Sequence, residues 1–349
     1  MNSGKYIFLL FSLLLFFYGF SQSTVDSDSP DINIKAALHQ DSLKNYKEAL
    51  KYYTRATKTN TENAAAWLGK ASEKYMLGEN KSALEDVAQA IKIKPDFSAA
   101  FAKRGLIEAA SGDAKSALSD LDKAISLTGD NVEALIQRGV LKSKMRKTID
   151  AITDFTTALE FKANSLEAFI YRGKARHDIG DYQLAMSDFN KAILIDTSNF
   201  ELFKFRGSTK FEIGDYKGAI ADYDKSIHFN HTDVETFINR AAAKINIMDN
   251  KGALIDCETA LGMDPKNPKI YNFRGAAKAG LKDVRGALAD LNKAIQMKQN
   301  YSQAYINRAA IKFASGDKKG SCADLVAADS MGNELANDLI DKYCDIKAK

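Results

Sequence analysis

Residues 172–193 read RGKARHDIGDYQLAMSDFNKAI, and residues 206–227 read RGSTKFEIGDYKGAIADYDKSI. Both segments begin with Arg-Gly, continue with Gly-Asp-Tyr eight residues later and carry an Asp sixteen residues after the Arg. The second segment starts 34 residues after the first, without insertion or deletion. A period of this length is typical of arrays of helix-turn-helix repeats. The sequence therefore predicts an all-α repeat protein.

Two columns of residues recur in this register. The first holds an aromatic or large apolar residue, and the second, four residues later, holds Gly or Ala. Residues four apart lie on one face of a helix, so a bulky and a small residue together predict a face that packs closely on a neighbouring helix. The first column comprises Trp67, Phe101, Leu135, Phe169, Phe203, Phe237, Tyr271 and Tyr305. The second comprises Ala71, Gly105, Gly139, Gly173, Gly207, Ala241, Gly275 and Ala309.

A second helix is predicted in each repeat. Alanine recurs twelve residues after the small column, from Ala83 to Ala287, among apolar residues spaced as on an amphipathic helix. Gly-Asp or Gly-Glu separates the two helices in most repeats, because glycine can end one helix in the left-handed conformation and the acid can cap the next. The turn Met145-Arg146-Lys147 lacks this pair, and we favour tolerated variation over a hinge there.

Residues of opposite charge also recur together. A basic residue precedes the small column, and an Asp follows sixteen residues later. The first repeat has lost both, with Ala36 and Tyr52 in their places, so the two charges predict a structural ion pair, either between the helices of one repeat or between repeats. A basic ladder for an anionic ligand is disfavoured because every Arg has its own Asp. The pairs are Lys70–Asp86, Arg104–Asp120, Arg138–Asp154, Arg172–Asp188, Arg206–Asp222, Arg240–Asp256, Arg274–Asp290 and Arg308–Asp324.

In these columns the chain resembles the tetratricopeptide repeat family, over nearly all of its length after the first residues. The resemblance implies a right-handed superhelical α-solenoid. We place nine 34-residue units in 30–335 and a polar-backed capping helix over 336–349, because an open apolar end needs a cover. The units are 30–63, which is degenerate, 64–97, 98–131, 132–165, 166–199, 200–233, 234–267, 268–301 and 302–335.

The first residues predict export. Residues 1–21 contain Lys5, an apolar run over 6–18 and small residues at Gly19 and Ser21, which is the pattern of a secretory signal peptide. A polar linker over 22–29 would follow, and an uncleaved signal would leave a weak membrane anchor. We expect a periplasmic or secreted protein. Association with a membrane complex is compatible with that location. The formal net charge of +4 gives no support to nucleic-acid binding.

The resemblance also implies where a ligand binds. In this family the first helices of successive repeats line a concave groove that commonly holds a segment of a partner protein. By position, the residues predicted to face it here are Tyr171, Lys174, His177, Lys204, Phe205, Ser208, Asn239, Lys269, Asn272, Phe273 and Asn307. Aromatic rings give contact area and Asn can pair with peptide backbone, so a protein or peptide partner is predicted.

One family of such grooves clamps a C-terminal carboxylate, and three positions match it: Lys204, Asn239 and Lys269. Ser208 replaces an expected Asn and Phe273 an expected Arg, so we favour chance placement of common residues over a clamp. The earlier groove residues Ala99, Ala102, Leu106 and Ala109 are small and apolar, which favours tight packing over an apolar ligand there.

Residues for catalysis are not apparent. No phosphate-binding glycine loop, nucleophile elbow or zinc-protease motif occurs, and no cofactor or metal is predicted. Cys257 lies in a packing column and is predicted to be a buried thiol, whereas Cys322 and Cys344 are candidates for a disulfide between the last repeat and the capping helix. The sequence thus predicts a non-catalytic scaffold that binds protein. The alternatives are an envelope-assembly adaptor that docks through its convex face or ends, and a glycan-handling or catalytic protein on a helical-repeat frame.

Overall fold

The chain is described by a computed structural model over residues 29–344. This part contains nineteen α-helices and no strand. It forms two compact units that are divided between Lys144 and Met145, at the turn that lacks Gly-Asp. The predicted signal segment, the linker as far as residue 28 and the last five residues lie outside the described part.

The helices follow one another with short turns. In the first unit they are α1 (Pro30–Ser42), α2 (Tyr46–Thr59), α3 (Ala64–Met76), α4 (Asn80–Ile93), α5 (Ser98–Ala110), α6 (Ala114–Leu127) and α7 (Val132–Lys144). In the second they are α8 (Thr148–Phe161), α9 (Leu166–Asp178), α10 (Tyr182–Ile195), α11 (Phe200–Glu212), α12 (Tyr216–Phe229), α13 (Val234–Asn246), α14 (Asn250–Met263), α15 (Pro268–Gly280), α16 (Val284–Met297), α17 (Ser302–Ala314), α18 (Lys318–Asp329) and α19 (Glu334–Tyr343). The predicted all-α repeat architecture is confirmed.

The small column lets the two helices of a repeat approach closely. A Cβ atom at Gly207 would lie 2.8 Å from the ring of Tyr223, and one at Gly173 would lie 2.8 Å from Phe189. At these two positions glycine leaves room for the aromatic ring sixteen residues later. Where the column carries alanine, as at Ala241, the partner is smaller, and Cys257 packs in the same core cluster.

The turns inside the repeats share one backbone conformation. Glycines such as Gly180 and Gly214 have φ angles of 84° and 80° there. Arg146 takes the same left-handed conformation with a φ of 59°, and Met248 and Lys282 do so with 62° and 66°. The turn at Arg146 therefore keeps the conformation of the glycine turns, which agrees with tolerated variation.

The ion pairs join the two helices of one repeat. The guanidinium of Arg206 on α11 donates from Nε and Nη2 to Asp222 on α12, at 2.8 and 2.6 Å. The same two-point pairing recurs with Nη2–Oδ1 distances of 2.5–2.8 Å. It is seen in Arg104–Asp120, Arg172–Asp188, Arg240–Asp256, Arg274–Asp290 and Arg308–Asp324. Each Asp is almost fully buried, so the pairs are structural.

The same arginines also reach the preceding repeat. Nη1 of Arg206 donates to Asn190 at 2.6 Å, and Nη1 of Arg240 donates to Asp224 at 2.6 Å. Arg138 of α7 donates to Asp122 of α6 at 2.7 Å in this way. Of the two arrangements left open by the sequence, the predicted pairs follow the one within a repeat. The contacts to the preceding repeat use other acceptors, because one planar guanidinium offers donors on two edges.

A second cation completes most of these sites, one helical turn after the Arg. Lys210, Lys244 and Lys278 each lie 2.7–2.8 Å from the Asp of their repeat. In the third repeat this position carries Glu108, which lies near Asp120. Burial and the charge of Asp120 raise the pKa of Glu108 to about 7. Compared with these later repeats, the third repeat lacks the second cation beside its buried Asp and has a carboxylate in its place.

The last helix closes the array two residues earlier than predicted. Helix α18 is shorter than the other second helices, and Gly332 with a φ of 79° turns the chain, so α19 starts at Glu334 rather than at residue 336. Leu339 of α19 packs against Ile306 and Ala328. Cys322 of α18 and Cys344 are joined by a disulfide, whereas Cys257 is a buried free thiol.

Candidate functional site

A concavity of the second unit lies against the first helices of four successive repeats. It has a volume of about 500 Å³, and we call it the main cavity. Helices α11, α13, α15 and α17 all contribute side chains, and Tyr223 of α12 lies at its base. The lining residues are Ser208, Phe211, Glu212, Tyr223, Asn239, Ala242, Ile245, Asn246, Phe273, Ala276, Gln303 and Asn307.

Small residues open this space. Ser208, Ala242 and Ala276 occupy the same position in three successive repeats, and all three line the main cavity. In the first unit that position holds Leu106 and Val140, which line a concavity of only about 90 Å³. The larger side chains fill the space between first helices, as expected from the apolar composition of that stretch.

A chain of amide groups runs from the protein interior to the edge of the main cavity. Asn272 is fully buried, and its Oδ1 accepts a hydrogen bond from Nδ2 of Asn307 at 2.9 Å. Oδ1 of Asn307 accepts in turn from Nε2 of Gln303 at 3.1 Å. These bonds fix the orientation of the Asn307 amide, because an amide group has one donor end and one acceptor end. Asn307 therefore presents a fixed donor to the cavity.

Two further amides lie on α13. Nδ2 of Asn246 donates to the carbonyl oxygen of Ala242 at 2.9 Å, which leaves its Oδ1 as an acceptor for a ligand. Asn239 is half-buried and makes no hydrogen bond through its side chain with another described residue. The cavity thus offers donors and acceptors on neighbouring helices. Phe273 takes the repeat position that Asn239 holds one repeat earlier and Asn307 one repeat later.

A second, smaller concavity of about 220 Å³ adjoins the main cavity through Ser208. Lys174, His177, Asp178, Phe189 and Phe205 complete its lining. Nζ of Lys174 lies 4.5 Å from the centroid of the Phe205 ring, and the pair is within cation–π range. Lys174 and Asp178 give this smaller concavity both signs of charge.

The structure brings most of the predicted groove residues to these two concavities. Ser208, Asn239, Phe273 and Asn307 line the main cavity, and Lys174, His177, Phe205 and Ser208 line the smaller one. The ring of Tyr171 is half-buried and stacks on Phe155 with centroids 5.9 Å apart. It contributes to neither lining.

Three predicted residues are placed differently. Asn272 is fully buried rather than exposed to a ligand, because its amide oxygen faces Asn307. Lys204 pairs with Asp233 at 3.1 Å, so its ammonium group is already neutralised. Lys269 is exposed but lines neither concavity. The two lysines of the carboxylate-clamp match therefore do not serve the main cavity.

Several lining residues were missed by the sequence analysis, among them Phe211, Glu212, Ile245 and Asn246. The signal for two of them was present. Phe211 and Ile245 follow His177 at intervals of 34 residues, so they share the position of a residue that was predicted to face the groove. Extending each predicted column through all repeats would have found them.

Comparison with known families agrees with this architecture. Sequence profiles described as tetratricopeptide repeat match residues 34–96 and 166–199. Helical pairs with the 34-residue period extend this pattern from α1 to α18. These matches and the repeated helix pairs support a tetratricopeptide repeat protein. Members of the family are generally non-catalytic scaffolds, and this fold indicates a scaffold for protein interaction.

Several solved structures are similar to this chain in fold. A tetratricopeptide repeat protein from Parabacteroides merdae has a TM-score of 0.60 at 20% identity, over 70% of this chain and 97% of that chain. A chain of the APC/C hetero-tetramer Cut9–Hcn1 has a TM-score of 0.58 at 15% identity, over 88% of this chain and 60% of that chain. PilF from Pseudomonas aeruginosa has a TM-score of 0.56 at 14% identity, over 60% of this chain and 96% of that chain. No curated protein sequence matches the chain.

Metal sites and membrane spans are not found in the described part of this tetratricopeptide repeat chain. Residues 29–344 contain no group of three or more His, Cys, Asp or Glu side chains placed to hold a metal ion. Within the same residues, no helix combines the length and the apolar character needed to cross a membrane.

Proposed function

We propose that the protein is a non-catalytic scaffold that binds an extended segment of a partner protein in the main cavity. The observation that carries this proposal is the lining itself. Four successive first helices supply amides and aromatic rings to one concavity of about 500 Å³. Sites for small ligands and peptide side chains have volumes of roughly 300–1,000 Å³, so the main cavity is large enough for such a ligand.

The arrangement of the amides suits a polypeptide backbone. Asn239 and Asn307 lie at the same position two repeats apart, with Phe273 between them. Packed helices lie about 8–10 Å apart, which corresponds to roughly three residues of an extended chain at about 3.3 Å each. An extended segment that crosses α13, α15 and α17 therefore meets one amide or ring about every third residue.

Affinity capture with a groove variant tests this proposal. We expect Asn239→Ala/Phe273→Ala to remain folded, which circular dichroism checks, because Phe273 is only partly buried at the edge of a core cluster. The variant should lose the partners that the wild-type chain captures from the producing cell. The matched control is Leu194→Ala/Ile255→Ala, which removes two exposed apolar side chains elsewhere in the second unit. Partners retained by the groove variant but lost from the control would refute the main cavity as the binding site. That result would favour docking through other surfaces, as in an envelope-assembly adaptor.

We also propose that the protein works outside the cytoplasm. The disulfide between Cys322 and Cys344 supports this proposal, because disulfides persist mainly in oxidising compartments. Export with cleavage of the predicted signal would give a mature chain that starts near Gln22. Amino-terminal sequencing of the protein from fractionated cells tests this, and an intact Met1 in a cytoplasmic fraction would contradict it.

A further inference from the structure

The lining of the main cavity carries a single negative charge. Of its lining residues, Glu212 at the end of α11 is the only one that carries a full charge. The side chain is exposed, and it makes no ion pair or hydrogen bond with another described residue. Every other lining residue is an amide, a hydroxyl, an aromatic ring or an aliphatic side chain. An unpaired carboxylate therefore borders a neutral, partly aromatic cavity.

Eight cations of the surrounding helices are directed towards the interior of their own repeats. On each of α11, α13, α15 and α17, an Arg and a Lys pair with the buried Asp of their own repeat, with shortest N–O distances of 2.5–2.8 Å. The cations in question are Arg206, Lys210, Arg240, Lys244, Arg274, Lys278, Arg308 and Lys312. Each of these cations is held against the buried Asp of its own repeat, and none of them lines the main cavity. No cationic side chain therefore faces Glu212 within the cavity lining.

Tyr223 provides a neutral hydroxyl in the cavity lining. Burial raises the pKa of Tyr223 to about 12, and the charges of Glu212, Asp222 and Glu235 contribute to the increase. The hydroxyl of Tyr223 lies 3.3 Å from Oγ of Ser208, so Tyr223 remains a neutral hydrogen-bonding group beside the carboxylate. The rings of Phe211, Tyr223 and Phe273 supply aromatic surface in the same cavity. Aromatic faces attract cations as well.

We propose that the main cavity selects a partner segment that carries an arginine or lysine side chain, with Glu212 as the residue that determines this specificity. The inference rests on the proposed function, since it names the chemistry of the segment bound there. Arginine fits better than lysine, because its planar guanidinium can pair with a carboxylate through two hydrogen bonds and can also stack on an aromatic ring. This charge preference is opposite to that of a carboxylate clamp.

Selection from a library of short random peptides displays this preference directly. The immobilised full chain is used to select binders, and we expect the selected sequences to share Arg or Lys at one position. Replacing that residue by Gln in a selected peptide should weaken binding about tenfold, which corresponds to about 1.4 kcal/mol. Raising the salt concentration should weaken the Arg peptide more than its Gln counterpart.

Exchange of the charge provides the decisive comparison. We expect Glu212→Lys to lose the selected Arg peptide and to select peptides with Asp or Glu at that position. Glu258→Lys is the matched control, because Glu258 is also exposed in the second unit but does not line the main cavity. The control should keep the preference for Arg. An unchanged preference in Glu212→Lys would refute the inference.

Phe273→Ala separates failure of this inference from failure of the proposed function. If Phe273→Ala abolishes peptide binding while the charge at residue 212 has no effect, the main cavity binds peptides and the charge preference is wrong. If the wild-type chain selects no peptide, or if both variants bind the selected peptide as tightly as the wild type, the main cavity is not the binding site and the proposed function fails as well.

Discussion

Two glutamates of the first unit occupy positions that hold other residue types in the remaining repeats. Glu73 is almost fully buried on α3, where the later repeats carry small, apolar or Thr residues such as Ile107 and Thr209. Burial raises the pKa of Glu73 to about 7, Asp41 adds to the increase and Lys103 opposes it. One carboxylate oxygen of Glu73 has no hydrogen-bond partner among the described residues. The second glutamate is Glu108, whose pKa is likewise raised to about 7. Each of the two therefore reduces the stability of the folded chain when it is ionised.

The stability of the first unit is expected to depend on pH through Glu73. The folded state keeps the proton between the ordinary pKa of 4.5 and about 7, where the unfolded state releases it. Stability therefore falls as the pH rises across this window and changes little above it. Glu73→Gln should reduce this dependence, and the remainder should come from Glu108, whose pKa is also raised to about 7. Denaturant unfolding at several pH values measures both contributions. Exposed Glu85→Gln is the control, and a pH slope that persists unchanged in Glu73→Gln would contradict the assignment.

Glu108→Lys should stabilise the third repeat. The substitution restores the second cation that Lys210 or Lys244 provides to the Asp of a later repeat. It also removes a carboxylate from the neighbourhood of Asp120. We expect a gain in the free energy of unfolding of about 0.5–2 kcal/mol, as for other substitutions that optimise local charge. Glu108→Gln removes only the repulsion, so a Lys variant no more stable than the Gln variant would show that the new ion pair contributes nothing.

At the scale of helices, the size match between first and second helices determines how closely each pair packs. Gly207 faces Tyr223, whereas Ala309 packs in one cluster with the smaller Leu325. The pairing is local to a repeat, so its disruption should affect that repeat and its neighbours most. Glycine and the large residue sixteen positions later act as one packing unit.

Gly207→Val should destabilise the second unit by about 1–3 kcal/mol, because the added atoms overlap the ring of Tyr223. Hydrogen exchange should rise most over residues 170–260, and thermal unfolding should begin at a lower temperature. The double variant Gly207→Ala/Tyr223→Leu reproduces the combination of the ninth repeat and should lose less stability than the sum of its single variants. Additive effects in this cycle would show that the two positions do not pack as a unit.

The sequence predicted the helices well, because the period, the packing columns and the turns all point to one structure. It did not decide whether each ion pair lies within one repeat or between repeats, because spacing alone allows both. In the structure the pair lies within one repeat, and the same Arg also contacts the preceding repeat through another acceptor. It also placed Asn272 in the groove, although the side chain turns inward to Asn307. The position of the main cavity depends on the combined volumes of side chains from four helices. The residue types at single repeat positions do not predict that combined volume.

For the whole molecule, the disulfide between Cys322 and Cys344 fixes the end of the array. It closes a segment with a sequence separation of 22 residues. Disulfides that close loops of this length contribute typically about 2–4 kcal/mol in the chain-entropy description. Because repeats interact mainly with their neighbours, the contribution should be confined to the last helices.

Reduction should therefore loosen the last repeat and leave earlier repeats unchanged. We expect faster hydrogen exchange in α17, α18 and α19 after reduction, and no change in α9 to α12. Cys322→Ser/Cys344→Ser should behave like the reduced protein without a reductant. The buried thiol of Cys257 takes no part in the disulfide, so the reductant acts on the described part only at the C-terminal end. Faster exchange throughout the second unit would show that the disulfide stabilises the array globally.

The disulfide also makes the two ends of the array unequal. An unfoldase or a protease that engages α1 meets only non-covalent packing, whereas one that approaches from α19 meets a closed covalent loop that cannot be drawn out as a single strand. In an oxidising compartment, dismantling of the folded chain should thus run from the amino-terminal repeats towards the carboxyl-terminal ones. The repeats that line the main cavity would then be among the last to be lost.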